Sequence, residues 1–429
     1  MLYHLDIEEL GHVIINVDNG QTRYFLEPSR DEKLYESFLR QNDTSFYEKM
    51  ESFEYSLEDY KTVFLSINIT TNCNLRCRYC FADHAHPKNI SLAEIKDCIR
   101  RFVFSNLTKK NIFVDLSGSG EPLTRLKDIV SIGDYCKELS NETGVNIVPQ
   151  LITNGTLLNP KVTKLLQKHM VLFGVSIDGT KSNHDLNRCF QNGKPSYTII
   201  EKNVKRIKNK QYVGAGMVID GNFSGDVLQC YKNLLSLLPT VSVKFARSSS
   251  LYDFSTNKVN IMNGYETLAN YLTNQLLNND FEMFFAIING DDIFGTYLCR
   301  IFLDNIVHRR CDVFNGRKCL SFDGETSLCA PAIWLDQEEM RLFMSLKSNN
   351  IMSYCNKCHA RYVCGGECPV VLAKIKQPNY NLCVVRRHLV DLGRKMRLEL
   401  LNKNPIIENK VVNFCIEKEL RWNDSIKRY

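Results

Sequence analysis

The chain has 429 residues, 44% of them apolar and 24% charged, with a formal net charge of +6. This is the composition of a globular enzyme of two or three domains. The charge is too mild to indicate a nucleic-acid binder, though it would favour an acidic peptide or phosphates, and no run of about 18 apolar residues marks a membrane span. The first twenty residues carry acids early and lack a basic-then-apolar signal pattern, so a cytoplasmic location is expected.

Residues 1–60 read as a separate unit. HVIINVDNGQTRYFLE is a hairpin pattern, with Asp18-Asn19-Gly20 between two apolar runs. A charged helical stretch follows, through LYESFLR. TVFLSINIT is apolar and β-branched almost throughout, as in a strand buried on both faces of a parallel sheet. Alternation then sets in. Ser91 and Glu94 form a capping box ahead of an amphipathic helix with Leu92, Ile95, Ile99 and Phe102 on one side. The strands NIFVDLSG, VNIVPQLITNG, LFGVSIDG and YVGAGMVID are interleaved with the helices LKDIVSIGDYCKELS, PKVTKLLQKHM and YTIIEKNVKRIKN. Such alternation predicts an α/β fold with right-handed crossovers, five or six units of a partial barrel short of eight. Residues 250 to 300 are mostly helical. From Cys311 to Cys383 the composition turns to cysteine and glycine with short strands, and VVRRHLVDLGRKMRLELLNK closes as a helix. The expected domains are 1–60, 61–300, 301–395, and a helix and tail over 396–429.

Seventeen cysteines in a large chain without an export signal argue for metal or cluster binding rather than disulfides. Cys98, Cys136, Cys189, Cys230, Cys299 and Cys415 are scattered and read as small buried residues. Cys73, Cys77 and Cys80 form a C-x3-C-x2-C loop directly after the first barrel strand. Three thiolates can hold three irons of a [4Fe–4S] cube and leave the fourth open. Spacing alone also admits a zinc site completed by His84 or His86.

With Tyr79 before its third cysteine, this loop resembles the signature of the radical S-adenosylmethionine (SAM) superfamily. The resemblance implies that the open iron chelates SAM and that reduction cleaves it to a 5′-deoxyadenosyl radical. Ser119-Gly120-Glu121-Pro122 looks like the family's GGEP loop, which contacts the SAM amino group, with serine for the first glycine. Thr153-Asn154-Gly155 and Ser176-Ile177-Asp178-Gly179 end the next two strands. Ser176 and Arg188 match positions that hold the SAM carboxylate and ribose. Tyr79, Ser119, Gly120, Glu121, Asn154, Ser176 and Arg188 are the cofactor-binding candidates.

Cys355-x2-Cys358-x5-Cys364-x3-Cys368, with Cys383 beyond it and Cys311-x12-Gly324-x4-Cys329 before it, resembles the SPASM domain of radical SAM enzymes that modify peptides and proteins. That implies two auxiliary [4Fe–4S] clusters, three in all. Cys311, Cys329 and Cys368 would serve the first, with Cys319 a candidate fourth ligand. Cys355, Cys358, Cys364 and Cys383 would serve the second. A zinc ribbon is the alternative for Cys355 to Cys368.

His184-Asp185-x2-Arg188, Gly193, Ser196-Tyr197 and the N-terminal unit resemble maturases of ribosomally made, cysteine-rich peptides. The expected reaction is thioether formation. The expected partners are a precursor peptide with a leader, docked or capped by residues 1–60, and an electron donor such as flavodoxin or ferredoxin. No nucleic acid or membrane is expected. The alternatives are an anaerobic sulfatase-maturing enzyme, whose relatives carry an aspartate base where Ala330 stands here; other peptide modifications such as carbon–carbon cross-linking or epimerisation; and a non-catalytic iron–sulfur sensor or peptide carrier.

Overall fold

The computed structural model describes residues 1–7, 10–26, 62–82, 88–247, 253–307, 317–320, 326–327, 329–346 and 355–424. The charged stretch through LYESFLR, His84, His86 and Cys311 lie outside them.

The N-terminal unit is a three-stranded antiparallel sheet of β1 (Leu2–Ile7), β2 (Gly11–Asn16) and β3 (Thr22–Leu26). β2 and β3 are the expected hairpin, turning at Val17–Gln21. β1 is an added strand that the sequence pattern did not single out.

The barrel sheet runs through β4 (Thr62–Ile67), β5 (Asn111–Asp115), β6 (Asn146–Thr153), β7 (Leu172–Ser176), β8 (Gly214–Ile219) and β9 (Thr240–Phe245), each parallel to the next. Helices Leu92–Phe104, Leu126–Thr143, Pro160–Lys168, Tyr197–Lys205 and Val227–Leu237 make the crossovers. The capping box is formed: Ser91 accepts from Glu94 N–H, and the Glu94 carboxylate accepts from Ser91 N–H. A short helix, Lys181–Asn187, adds to the β7 crossover. One face of the sheet, with Val63, Leu65, Ile67, Ile112 and Val114, packs on the helices in a continuous core. The alternate residues face the concave interior, where Phe64 and Phe113 stack at 5.2 Å. This is the expected partial barrel.

The cysteine-rich segment is woven into that barrel. β10 (Arg317–Leu320) lies parallel to β4 and adds a seventh parallel strand, and β11 (Thr326–Ser327) pairs antiparallel to β10. The strand satisfies the edge hydrogen bonds of β4 that would otherwise stay open. Helices Lys258–Leu277 and Ile293–Phe302 pack against the long helix Tyr380–Lys403. The N-terminal sheet packs on that same helix: Val13, Ile15 and Leu398 form one core cluster. It also meets the cysteine-rich segment, where Tyr3 stacks on His359 at 3.8 Å and the Tyr362 hydroxyl donates to the Asp18 carbonyl. Among the described residues, no helix is long and apolar enough to cross a membrane.

Of the six scattered cysteines, Cys98, Cys136, Cys230, Cys299 and Cys415 are buried as expected. Cys189 is half-buried and donates to the Asp185 carbonyl at 3.1 Å.

Leu398 is fully buried between the long helix and the N-terminal sheet. Leu398→Ala should cost about 2–4 kcal/mol and loosen the sheet first. Hydrogen exchange should rise in residues 11–26 before it rises in β4 to β9; equal exchange in both regions would contradict this docking.

Candidate active site

The three-cysteine loop leaves the C-terminal end of β4, the end at which parallel α/β barrels carry their chemistry. Residues 187–191 brace it. Arg76 N–H donates to the Cys189 carbonyl and Arg78 N–H to the Asn187 carbonyl, at 2.8 and 2.9 Å. Gln191 Nε2 reaches the Cys73 carbonyl at 2.7 Å. Leu75, fully buried, bridges to Phe190. The thiols of Cys73, Cys77 and Cys80 stay half-buried. Burial pushes the Cys73 thiol up and the Cys77 thiol up to about 12, against the pull of nearby Arg188. The Arg188 guanidinium lies 4.0 Å from Cys77 Sγ and the Asn154 amide 3.9 Å from Cys73 Sγ.

A buried carboxylate organises this edge. One Asp178 oxygen accepts from the Tyr79 hydroxyl and from Arg188 Nε at 2.9 Å, and the other from Val218 N–H at 2.9 Å. The guanidinium lies over the Tyr79 ring, 5.2 Å from its centre. His184 supports the arrangement. Its Nδ1 accepts from Asp178 N–H at 3.1 Å, which leaves Nε2–H to donate to Ser196 Oγ at 2.9 Å; that hydroxyl donates to the Arg188 carbonyl at 2.6 Å. Burial lowers the His184 pKa to about 4. Asp185 accepts from the N–H groups of Ser196 and Tyr197 and so fixes the next turn.

Gly120 lies where its chain touches the cysteine loop: a Cβ there would fall 2.5 Å from the Asn72 carbonyl oxygen. Glu121 is buried, with both carboxylate oxygens engaged. They accept from Thr153 Oγ1 at 2.7 Å, Leu123 N–H at 3.0 Å and Asn154 N–H at 2.6 Å. Burial still raises its pKa. This carboxylate ties the β5 loop to the β6 loop. Asn154 also donates to Asn74 Oδ1 at 2.8 Å, closing the link to the cysteine loop. Ser176 ends β7 half-buried on the concave face. The sequence candidates Cys73, Cys77, Tyr79, Gly120, Glu121, Asn154 and Arg188 thus adjoin one another, directly or through Asn72 and Asn74. Asp178 as the hub, and the bracing by Asn74 and Gln191, were not read from the sequence; the position of Asp178 immediately past a barrel strand was the available signal.

A second gathering lies in the cysteine-rich segment. Cys355, Cys358, Cys364 and Cys383 are close enough to act electrostatically on one another. Burial first, then its neighbouring thiols, raise the Cys355 pKa to about 12; burial brings Cys383 to about 11 against the pull of Arg386. A buried bidentate pair, Arg386 to Glu367 at 2.9 Å for both bonds, ties the helix bearing Cys383 to the loop between Cys364 and Cys368. Cys329 and Cys368 pack on one small apolar cluster with Ala332, Phe343 and Leu372. Cys319 is fully buried on β10.

Three thiols therefore share the loop after β4, and four more lie in the cysteine-rich segment. The three could hold a [4Fe–4S] cluster with one open iron, and the four a cluster with every iron ligated. Among the described residues no three His, Cys, Asp or Glu side chains converge tightly enough for a single metal ion. A cube spreads its ligands over its corners, so its cysteines stand farther apart than those around one ion.

The structure thus sets a three-cysteine loop at the C-terminal end of the first strand of a partial barrel. Residues 67–229 match the radical SAM superfamily, and this stretch is a radical SAM domain. The family implies a [4Fe–4S] cluster and SAM. The chain is 36% identical to an uncharacterised protein, MJ0907, of Methanocaldococcus jannaschii over 132 residues, 31% of this chain and 44% of that protein. It is 29% identical to a cysteine-type anaerobic sulfatase-maturating enzyme of Clostridium novyi over 171 residues, 38% of this chain and 45% of that one. The chain thus spans less than half the length of these curated relatives. A solved structure described as native anSMEcpe with bound AdoMet and Cp18Cys peptide shares the fold: its TM-score is 0.61 at 19% identity, over 80% of this chain and 99% of that chain.

Because burial holds His184 neutral, the unfolded chain takes up a proton between its ordinary pKa of about 6.5 and about 4 that the folded chain does not. This contribution to stability is full above about pH 6.5 and is lost as pH falls, by about 2 kcal/mol at pH ~5 and about 3 kcal/mol below pH ~4. Thermal midpoints of the metal-free chain and of His184→Gln should therefore converge on acidification. A constant difference between them across that range would contradict a neutral buried imidazole.

Proposed function

We propose that this enzyme is a peptide maturase with three [4Fe–4S] clusters that forms thioether links in a ribosomally made, cysteine-rich precursor. The observation that supports the reading is the presence of Cys355, Cys358, Cys364 and Cys383 in one segment, its loop and helix tied by the buried Arg386–Glu367 pair, in the same molecule as the three-cysteine loop. When bound, the cluster of that loop and SAM supply a 5′-deoxyadenosyl radical that removes hydrogen from carbon. Cys73, Cys77 and Cys80 hold it, and Arg188 sets a positive charge beside Cys77. Tyr79, Ser119, Gly120, Glu121, Asn154 and Ser176 shape the SAM pocket. Glu121 acts there chiefly by fixing the loops, since its carboxylate is already engaged.

A thioether joins a peptide carbon to a cysteine sulfur, with loss of one hydrogen from each. After the carbon loses its hydrogen atom, closure releases a proton and one electron. Redox-active auxiliary clusters suit the electron, which zinc could not take up. Cys329 and Cys368, with Cys311 and Cys319, would hold the first auxiliary cluster. The N-terminal sheet is the proposed leader-docking unit: β1 and β3 each have one edge that no described strand pairs, which fits addition of a peptide strand. A flavodoxin or ferredoxin would supply the electron that starts the cycle.

Formylglycine formation is the second reading, favoured by the name of the Clostridium novyi relative. Against it, Ala330 brings a methyl group, not a carboxylate, close to the β5 loop. Both reactions remove two hydrogens, so mass alone does not separate them. The chain should be co-expressed with the short cysteine-rich peptide encoded nearest its gene, and the product alkylated and sequenced by tandem mass spectrometry. A thioether removes one alkylatable thiol and blocks fragmentation between the linked residues. A hydrazide-reactive product would establish the second reading, and a product retaining every thiol would point to cross-linking through carbon or to epimerisation.

A further inference from the structure

Asn68 lies one residue past β4, fully buried, with both ends of its side chain engaged. Its Nδ2 donates to Cys319 Sγ at 3.4 Å, and its Oδ1 accepts from Ser119 Oγ at 3.1 Å. Its backbone N–H donates to the Leu320 carbonyl at 3.4 Å. The fit admits no alternative at Gly118, whose φ is +150°: a Cβ there would fall 1.8 Å from Asn68 Oδ1 and 3.5 Å from Ala330 Cβ. Asn68 therefore touches the loop that begins at Ser119 on one side and the cysteine-rich segment on the other.

Cys319 lies on the same hairpin that leads to Cys329. It faces Ser327 across the β10–β11 pair, and Cys329 follows two residues later. Cys329 packs with Cys368 on one apolar cluster. Ala330, next to Cys329, comes within reach of Gly118. One wall of the barrel thus carries Cys319, Asn68 and Ser119 in hydrogen-bonded series, with Cys329 adjoining.

We propose that Asn68 is a positioning residue that couples the first auxiliary cluster to the SAM pocket: it fixes Cys319 as a cluster ligand and the Ser119 hydroxyl as part of the SAM-binding loop. This rests on the auxiliary-cluster reading above. An amide is suited to the task because one end donates and the other accepts. An N–H donated to a ligating sulfur disperses thiolate charge and favours the reduced, more negative cluster. Loss of that donor shifts the cluster potential downward, whereas a residue that merely filled space would leave it unmoved.

The test uses the full chain, reconstituted without oxygen and titrated electrochemically under electron paramagnetic resonance. Asn68→Leu keeps the volume, adds no charge and removes the donor to sulfur. One auxiliary signal should move to more negative potential, the other should stay, and iron should remain at about twelve per chain, four for each of three clusters. In a Cys319→Ala background the same substitution should shift nothing. If Asn68→Leu does not fold, Asn68→Ser carries the same expectation. Full iron with every potential unchanged overturns the coupling and leaves the auxiliary clusters standing. An equal shift in both backgrounds also overturns it, since the effect would not pass through the sulfur. An unsubstituted chain that holds only about four irons overturns the auxiliary reading itself.

Discussion

Asp178 is a fully buried carboxylate that holds the Tyr79 hydroxyl, the Arg188 guanidinium and the Val218 N–H together. Burying such a pair gains little stability, because desolvation offsets the attraction. Removing one partner is the costly event, about 3–5 kcal/mol, because it strands a charge. What the pair provides is placement. Tyr79 belongs to the cysteine loop, Asp178 to the end of β7, Val218 to β8 and Arg188 to the segment that braces the loop. One carboxylate therefore sets the loop against the barrel mouth. The neutral His184 and Ser196 then fix the Arg188 backbone, so the guanidinium beside Cys77 has little freedom to leave.

The thiols make the case for metal in physical terms. Burial raises Cys73, Cys77, Cys355, Cys358 and Cys383, with Cys77 and Cys355 at about 12. At neutral pH they are protonated unless a cation takes the proton's place, and each gathered thiolate makes the next harder to form. Iron binding supplies that cation and releases the protons. The buried Arg386–Glu367 pair holds the loop between Cys364 and Cys368 to the helix bearing Cys383 before any metal arrives.

The periodic elements were legible because each rests on local chemistry. The Ser91 and Glu94 capping box, the Asp18-Asn19-Gly20 turn and the apolar strands all appear as read. The three-cysteine loop was legible from its spacing, and the auxiliary ligand sets were expected from the resemblance of the cysteine-rich segment to the SPASM domain. What could not be read depends on contacts between distant segments. β10 joins β4 across some 250 residues of chain, as the Asn68–Cys319 bond does. Nothing near Asn68 in the sequence announces a sulfur partner. Asp178 was read only as part of the segment that ends a strand, and only the fold brings Tyr79 and Arg188 to it. Glu121 was read for its motif. The structure adds that its carboxylate spans two loops, which its neighbours in sequence do not reveal.

The central claim is that Cys73, Cys77 and Cys80 carry a cluster whose reduction cleaves SAM. Its most direct test needs no peptide. The iron-loaded chain is mixed with SAM and dithionite without oxygen, and 5′-deoxyadenosine and methionine are measured by mass spectrometry. The account predicts both products from the unsubstituted chain, and neither from Cys77→Ala that still contains the auxiliary iron. Cleavage by that variant at the unsubstituted rate, or none by a chain loaded with all its iron, would contradict it.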